Sequence, residues 1–237
     1  MKKLVEIARK DIDTSMLLLN NRIFHNSIYF YQQAVEKALK YVGLEIGIVN
    51  ENDLRKKVSH NSIKIFSILD KKENLFGGKG LENFESLIKQ TDDESLVYSV
   101  LKAIDESMEA LYETDNSISY FQNFKNYIKD KDIAEKDELL NIEENDYYNK
   151  MAKDFFSQLN IGSVMLRILF LNSCLCTKYN LDTYRYSTKE IPDPIEYFSE
   201  TNSIISNLHI FIKSINLCLS QIDKINWENK NYTDNIL

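Results

Sequence analysis

The chain has 237 residues, of which 43% are hydrophobic and 27% are charged; this composition is typical of a globular protein with a substantial core and excludes a disordered chain. Only 6 glycines and 2 prolines interrupt it, too few for the many turns of a β-sandwich or β-barrel. The net charge of -7 at pH 7 does not support a general electrostatic affinity for nucleic acid.

Most of the net charge comes from one acidic segment. Between Asp130 and Asp146 the chain has eight acidic residues and two lysines, which leaves the rest of the chain close to neutral. The one dense candidate for a basic site is Arg55-Lys56-Lys57 with Lys37, Lys40 and Lys64. A basic site, if the chain has one, is therefore expected to be local and to include this group.

The cellular location can be predicted from what the sequence lacks. No uninterrupted apolar run reaches the ~18 residues of a membrane span, and charged residues follow Met1 where a signal peptide needs an apolar core. We therefore expect a cytoplasmic protein. Cys174, Cys176 and Cys218 lie in apolar helical patterns without histidines at ligand spacing, which predicts buried thiols, no disulfide and no metal site.

The spacing of apolar residues is helical along most of the chain, which predicts an all-α fold. The first two helices are joined by a very short turn and should be antiparallel neighbours. In the first helix, Leu4, Ile7, Ala8 and Ile12 are predicted to face inward. The predicted helices are Leu4–Asn20, Phe24 to Gly43 or Gly47, one that has Ser59 as its N-cap, Leu81–Lys89, Ser95–Tyr127, Tyr147–Lys178 and Ile195–Ile225.

Polar, glycine-containing or proline-containing segments separate these helices. Asn50–Lys57 and Leu181–Pro194 are predicted to be loops, and Lys71–Gly80 breaks the helical pattern. The acidic stretch that ends at Asp146 is weakly patterned, so it is predicted to be either mobile or a solvent-exposed helix.

The segment Gln32 to Lys40 reads QQAVEKALK and places glutamine, glutamate and lysine within a strongly apolar helix. This run resembles the second helix of the HEPN family, small helical domains linked to nucleotide binding and RNA cleavage. Ser59-His60-Asn61 resembles the start of the family's third helix. Tyr184-Arg185-Tyr186-Ser187 resembles its Arg-Tyr-Pro loop, with serine in place of proline.

The resemblance implies a fold and a domain organisation. The fold is an up-and-down helical bundle, formed by one HEPN-like domain over residues 1–237. The last helix of this fold packs near the first two. Residues 71–146 lengthen the chain relative to the family's usual spacing, and we interpret them as an inserted helical and acidic segment.

Arg55 and His60 are separated by four residues, and catalytic HEPN ribonucleases use an arginine and a histidine separated by four to six residues. The resemblance implies metal-independent RNA cleavage, in a dimer cleft that brings two such motifs together. A histidine can transfer the 2′-hydroxyl or leaving-group proton, and an arginine can bind the phosphate with two hydrogen bonds. However, active members carry the motif on a later helix, so His60 is alternatively a helix-start residue that packs or hydrogen-bonds across the bundle.

Polar residues of the second helix form a second candidate site. Gln33, Glu36, Lys37 and Lys40 could contact a nucleotide, with the lysines on phosphate and Gln33 on a base edge. Alternatively they form a polar network that fixes helix packing or dimer register. Arg185 could reach the same surface, or it could anchor its loop through a salt bridge to Glu36.

Three hypotheses about function follow. The first is a nucleotide- or RNA-binding HEPN-like protein, a homodimer that requires no cofactor; the resemblance alone suggests a toxin–antitoxin or defence system with a small nucleotidyltransferase as partner. The second is a metal-independent HEPN ribonuclease that uses Arg55 and His60. The third is a helical protein–protein adaptor, in which the acidic segment contacts a basic partner.

Overall fold

The computed structural model describes residues 2–73, 80–112, 119–129, 136–178, 186–189, 191 and 193–225. Every regular element in these ranges is helical, and no β-strand occurs in them, in agreement with the predicted all-α fold. In chain order the elements are α1 Lys2–Asn20, α2 Phe24–Glu45, α3 Glu51–Asp53, a π-helical turn Leu54–Val58, α4 Ile63–Glu73, α5 Gly80–Gln90, α6 Asp93–Tyr112, α7 Tyr120–Lys129, α8 Lys136–Asn141, α9 Asp146–Lys178, α10 Pro194–Tyr197 and α11 Ser203–Ile222.

Helices α1 and α2 form the antiparallel hairpin that the sequence predicts. Each of two buried serines, Ser15 on α1 and Ser27 on α2, donates its hydroxyl proton to the other's backbone carbonyl oxygen, at distances of 2.8 and 2.7 Å. The connection is a Schellman turn with Arg22 in the left-handed region, at φ +60°. The close approach of the two serines fixes how the helices lie side by side.

The prediction of a loop over Asn50–Lys57 is wrong, because most of this segment is helical. The Asn50 side chain accepts a hydrogen bond from the Asp53 N–H (2.9 Å), and the Asp53 carboxylate accepts one from the Asn50 N–H (3.2 Å). This capping box starts a turn that the apolar pattern does not reveal. The segment ends at Val58, whose side chain is fully buried in the core.

The prediction that Ser59 is an N-cap is also wrong. Ser59 has φ +50° and ψ −118°, and its N–H donates to the Leu54 carbonyl oxygen (2.9 Å), so it ends the π-helical turn. The next helix, α4, begins at Ile63 and continues to Glu73, past the predicted break at Lys71. Residues 74–79 lie outside the described residues.

The predicted helix Ser95–Tyr127 is divided into α6 and α7. Residues 113–118 lie outside the described residues, and Ser119 is not helical. The Ser119 hydroxyl accepts a hydrogen bond from the Gln122 N–H (3.1 Å) and so caps α7. Of the acidic stretch, residues 136–141 form the short helix α8, in which no residue is buried, and residues 130–135 lie outside the described residues.

The predicted last helix, Ile195–Ile225, is likewise two helices, α10 and α11. Asn202 separates them, because its side-chain oxygen accepts hydrogen bonds from the N–H groups of Ile204 (3.0 Å) and Ile205 (3.4 Å) and starts α11 there. Of the predicted loop Leu181–Pro194, the described residues up to Asp193 are not helical. The remaining residues before Pro194 lie outside the described ranges.

The C-terminal helix packs against the opening hairpin, as the resemblance implies. Helix α11 lies against α1, α2, α6 and α9. The Arg9 guanidinium of α1 donates to the Leu219 carbonyl oxygen (2.7 Å) and forms an ion pair with Asp223 (2.7 Å), next to the end of α11. A cation at this position satisfies a terminal carbonyl and interacts favourably with the helix dipole.

A buried polar network joins three of these helices. The Tyr31 hydroxyl of α2 donates to Asn172 Oδ1 of α9 at 2.6 Å, and Asn172 Nδ2 donates to Ser214 Oγ of α11 at 3.0 Å. All three residues are at most 1% exposed. Buried polar groups are stable only when they are hydrogen-bonded, so the network requires one relative arrangement of α2, α9 and α11.

Helix α9 is 33 residues long, and its two halves have different surroundings. The C-terminal half belongs to the main core, where Phe170 packs against Phe66 of α4. The N-terminal half packs against α7 through rings that include Phe124 and Phe155, whose centroids are 5.3 Å apart. The first half of α9 and α7 therefore form an aromatic cluster of their own.

Within the described residues, α9 and α11 are long and apolar enough to cross a membrane by length and composition alone. In the sequence, the apolar run that comes closest to the length of a span is Ile161–Cys176 of α9, which Arg167, Asn172 and Ser173 interrupt. In the structure, 56% of the most apolar window of α9 and 50% of that of α11 are buried. Both helices use their apolar faces to form the core.

The three cysteines are free and buried, as predicted. Burial raises the pKa of the Cys174 thiol to about 12 and also raises the pKa values of Cys176 and Cys218. Because the thiolate is the nucleophilic form, these side chains act as small apolar groups in the core.

Candidate functional site

An open groove with a volume of about 530 Å³ lies where the start of α1 meets the end of α2. The antiparallel hairpin brings these two ends together, and the segment of residues 51–60 forms the remaining side. The described residues that line the groove are Lys3, Leu4, Ile7, Lys40, Leu44, Glu51, Leu54, Arg55, Ser59 and His60.

The segment that carries Arg55 and His60 has an unusual backbone. The capping box at Asn50 starts it, and the Asp53 carboxylate forms an ion pair with Lys57 at 2.8 Å. A π-helical turn accommodates one residue more than an α-helical turn, and such turns occur frequently at functional sites. In this chain the turn places the side chains of Arg55 and His60 on the same groove.

Ser59 adds local strain to this segment. Its φ of +50° with ψ −118° is a conformation that residues with a side chain rarely adopt, and holding such a residue costs about 1–3 kcal/mol. The strained residue directly precedes His60. The Asn61 N–H donates to the Val58 carbonyl oxygen (3.0 Å), so Ser59 and His60 are the central residues of a tight turn that leads from the π-helical turn towards α4.

Glu36 joins two of the predicted site residues. Its side chain is 6% exposed, with one carboxylate oxygen 2.6 Å from the Lys40 ammonium and the other 3.4 Å from His60 Nδ1. Glu36 and Lys40 therefore form an ion pair one turn apart on α2, and His60 contacts the same carboxylate. Because Glu36 balances the charge of Lys40, this lysine is less available to an anionic ligand than an unpaired cation would be.

Two other cations of the groove are unpaired. In the part of the chain that the structure describes, neither Lys3 nor the Arg55 guanidinium forms a hydrogen bond or an ion pair. Both side chains are exposed to solvent and line the groove. An unpaired guanidinium can offer two parallel N–H donors to a phosphate or a carboxylate.

Lys37 and Gln33 lie apart from the groove. The Lys37 ammonium is 2.7 Å from Asp11 of α1 and 3.0 Å from the Gln33 side-chain oxygen. The ion pair with Asp11 therefore joins the two helices of the hairpin. Neither residue is among those that line the groove. Arg185 lies outside the described residues, so its predicted pairing with Glu36 stays a prediction.

Several groove residues were not singled out from the sequence, among them Lys3, Glu51 and an aliphatic group. Leu4, Leu44 and Leu54 line the groove with Ile7, which is 42% exposed, so the prediction that Ile7 faces inward is wrong. The helical spacing of Ile7 matches that of the buried residues beside it, but none of the helices that the structure describes covers Ile7. The cation density at residues 55–57 indicated one side of the groove, but nothing in the sequence pointed to Lys3, Glu51 or the aliphatic residues.

The described residues contain no group of three or more histidine, cysteine, aspartate or glutamate side chains that could hold a metal ion. The chemistry that the groove offers comes instead from unpaired cations, one histidine held by a carboxylate and an aliphatic surface. Such a combination suits a ligand that carries both an anionic group and an apolar face.

Comparison with known proteins gives one match. The family model of the HEPN domain matches residues 1–136, more than half of the chain. No curated protein and no solved structure matches the chain. The match includes the α1–α2 hairpin, the QQAVEKALK run and the whole groove, whereas residues 184–187 and α11 lie beyond it.

The division into one domain with an inserted segment over residues 71–146 stays a prediction. The resemblance inferred from the second helix is confirmed by the family match, and the all-α architecture agrees with it. The chain belongs to the HEPN domain family.

Proposed function

We propose that this protein binds a nucleotide or RNA in the groove between α1, α2 and residues 51–60. The observation that carries the proposal is the pair of unpaired cations, Arg55 and Lys3, beside an aliphatic surface. In this arrangement the phosphate contacts the two cations and the base packs against Leu44 and its aliphatic neighbours. Membership of a family linked to nucleotides and RNA supports the same ligand class.

The net charge argues for a local site. The protein has a net charge of -7, so its long-range field does not attract a polyanion. Affinity must then come from short-range contacts. A bidentate arginine–phosphate contact, with two parallel hydrogen bonds, is among the strongest of these. Ion pairs occupy Lys40 and Lys37, and the proposal therefore assigns the principal phosphate contact to Arg55.

The cellular context is proposed from the family resemblance. A cytoplasmic homodimer within a toxin–antitoxin or defence system, encoded beside a small nucleotidyltransferase, would suit a protein of this kind. The adaptor hypothesis has less support, because no described feature of the acidic segment indicates a partner.

The first test compares two neighbouring cations. We expect Arg55→Ala to weaken the binding of a short single-stranded RNA about tenfold or more, the usual effect of losing one charge-assisted hydrogen bond. Lys56→Ala is the matched control, since Lys56 is adjacent and exposed but does not line the groove. The measurement is a fluorescence anisotropy titration at fixed ionic strength, repeated with ATP and GTP.

Equal losses in the two variants would mean that the RNA is held by general charge and not by the groove. No binding by the wild-type protein to any of the three ligands would contradict the proposed function itself. The unfolding midpoints of both variants should match that of the wild type, because both residues are exposed.

One observation favours a second candidate function, metal-independent ribonuclease activity: Arg55 and His60 line the same groove. In such a reaction the 2′-hydroxyl oxygen attacks the adjacent phosphorus and the bond to the 5′ oxygen breaks. His60 would transfer the proton while Arg55 stabilises the charge on the phosphate. The contact with Glu36 would hold the imidazole in place during this transfer.

The ribonuclease candidate is tested by incubating the purified protein with total RNA in the presence of a chelator. We expect His60→Ala to reduce the cleavage rate at least a hundredfold, the usual contribution of a general acid–base group. His209→Ala is the matched control, because His209 lies on α11 and does not line the groove. Cleavage that is equal in wild type and His60→Ala would exclude this function.

A further inference from the structure

Glu51 contributes a carboxylate to the groove, whose other lining residues are cations, aliphatic side chains, Ser59 and His60. The residue is exposed, and the described part of the chain provides no hydrogen bond or ion pair to its carboxylate. Arg55 follows four residues later, a spacing that often allows an ion pair within a helix. In the structure the two side chains line the groove without forming one.

Glu51 lies in the first turn of α3, where a carboxylate interacts favourably with the helix dipole, but it caps no backbone group there. Asn50 and Asp53 already form the capping box at the start of the segment, and the Asp53 carboxylate also pairs with Lys57. Glu51 is therefore not needed to cap the turn. A free carboxylate in a groove that binds phosphate also repels the ligand, so its position opposes binding unless it contacts another part of the ligand.

The chemistry of a carboxylate defines what that part can be. An ionised carboxylate only accepts hydrogen bonds, and its two oxygens suit a pair of neighbouring N–H donors. Among the bases, guanine presents such a pair on its Watson–Crick edge, at N1 and at the 2-amino group. Adenine and cytosine present an amino group beside an acceptor nitrogen, and uracil presents a single N–H between two carbonyl oxygens.

We propose that Glu51 is a specificity-determining residue that selects guanine over the other bases. This inference rests on the proposed function and names the ligand class of the same groove. The base packs on the aliphatic surface with its Watson–Crick edge towards Glu51, and the phosphate contacts Arg55. Glu51 and Arg55 thus hold opposite ends of one nucleotide, which accounts for two opposite charges that share the groove without pairing.

The test measures the affinity of the full chain for GMP, IMP, AMP, CMP and UMP by isothermal titration calorimetry. We expect the wild type to bind GMP about tenfold more tightly than UMP, since uracil loses one hydrogen bond to the carboxylate and also places a carbonyl oxygen against the second carboxylate oxygen. IMP differs from GMP only by the missing 2-amino group, so its affinity should be intermediate. In Glu51→Gln the preference for GMP should fall to about threefold or less, because an amide offers one acceptor and one donor in place of two acceptors.

Glu6→Gln is the matched control, because Glu6 is an exposed carboxylate at the start of α1 that does not line the groove. It changes the net charge by the same amount and should retain the full preference for GMP. Equal binding of all five nucleotides by the wild type would overturn the inference and leave the proposed function standing. A uniform gain in affinity in Glu51→Gln, with an unchanged preference, would show that Glu51 only repels phosphate. Failure of every nucleotide and of the RNA to bind would overturn both.

Discussion

Replacement of Phe211 by alanine is expected to lower the free energy of unfolding by about 3–5 kcal/mol, the usual cost of removing a large ring from a packed core. Phe211 is completely buried on α11, and its ring centroid lies 6.4 Å from that of Tyr31 on α2. The ring thus fills space between the C-terminal helix and the opening hairpin. The cavity left by the ring cannot close without moving helices that the polar network holds in register.

The measurement is urea unfolding monitored by circular dichroism, with the midpoint and slope compared with those of the wild type. Leu17→Ala is the control, because Leu17 is 63% exposed on α1 and its truncation should change stability by about 0.5 kcal/mol or less. A cost below about 1 kcal/mol for Phe211→Ala would mean that α11 does not pack against the hairpin as described.

Replacement of Asn172 by leucine is expected to cost about 2–3 kcal/mol although leucine has a similar size. The substitution removes the oxygen that accepts the Tyr31 hydroxyl proton and the N–H group that donates to Ser214. A buried hydroxyl that loses its partner carries the desolvation cost of that group. Asn172→Leu should therefore destabilise a protein that retains the Tyr31 hydroxyl more than one that carries Tyr31→Phe.

A double-mutant cycle with Tyr31→Phe tests this reasoning. We expect the double variant to be about 1–2 kcal/mol more stable than the sum of the two single costs predicts, because the two groups form one hydrogen bond. Ser163→Ala, at an exposed serine of the same helix, controls for general effects on α9. Additive costs would mean that the hydrogen bond contributes nothing to stability.

The helices themselves were predictable where the apolar pattern was long. The observed α1, α2, α5 and α9 begin and end within a few residues of the predicted bounds, because each has an apolar face that repeats over several turns. The errors occurred where a single polar side chain decides the local structure. Asn202 starts α11 with two hydrogen bonds and so separates two segments that the apolar pattern joins.

The candidate site was predictable only in part. Glu36 and Lys40 lie one turn apart on α2, so their pairing follows from the sequence. Arg55 and His60 were recognised by their spacing, but the π-helical turn that places both on one groove has no apolar signature. Lys3 and Glu51 could not be found, because nothing in the local sequence distinguishes them from other exposed charges.

The sequence by itself determined the helical class of the fold, the opening hairpin and membership of the HEPN domain family. These properties follow from periodicity and short runs of residues, which are local. Only the tertiary structure decided that Lys40 lies in the groove, that Lys37 is paired outside it with Asp11, and that Arg55 is unpaired. The physical reason is that the charge available to a ligand depends on which side chains come within a few ångströms across separate elements, and that distance is set by how those elements pack.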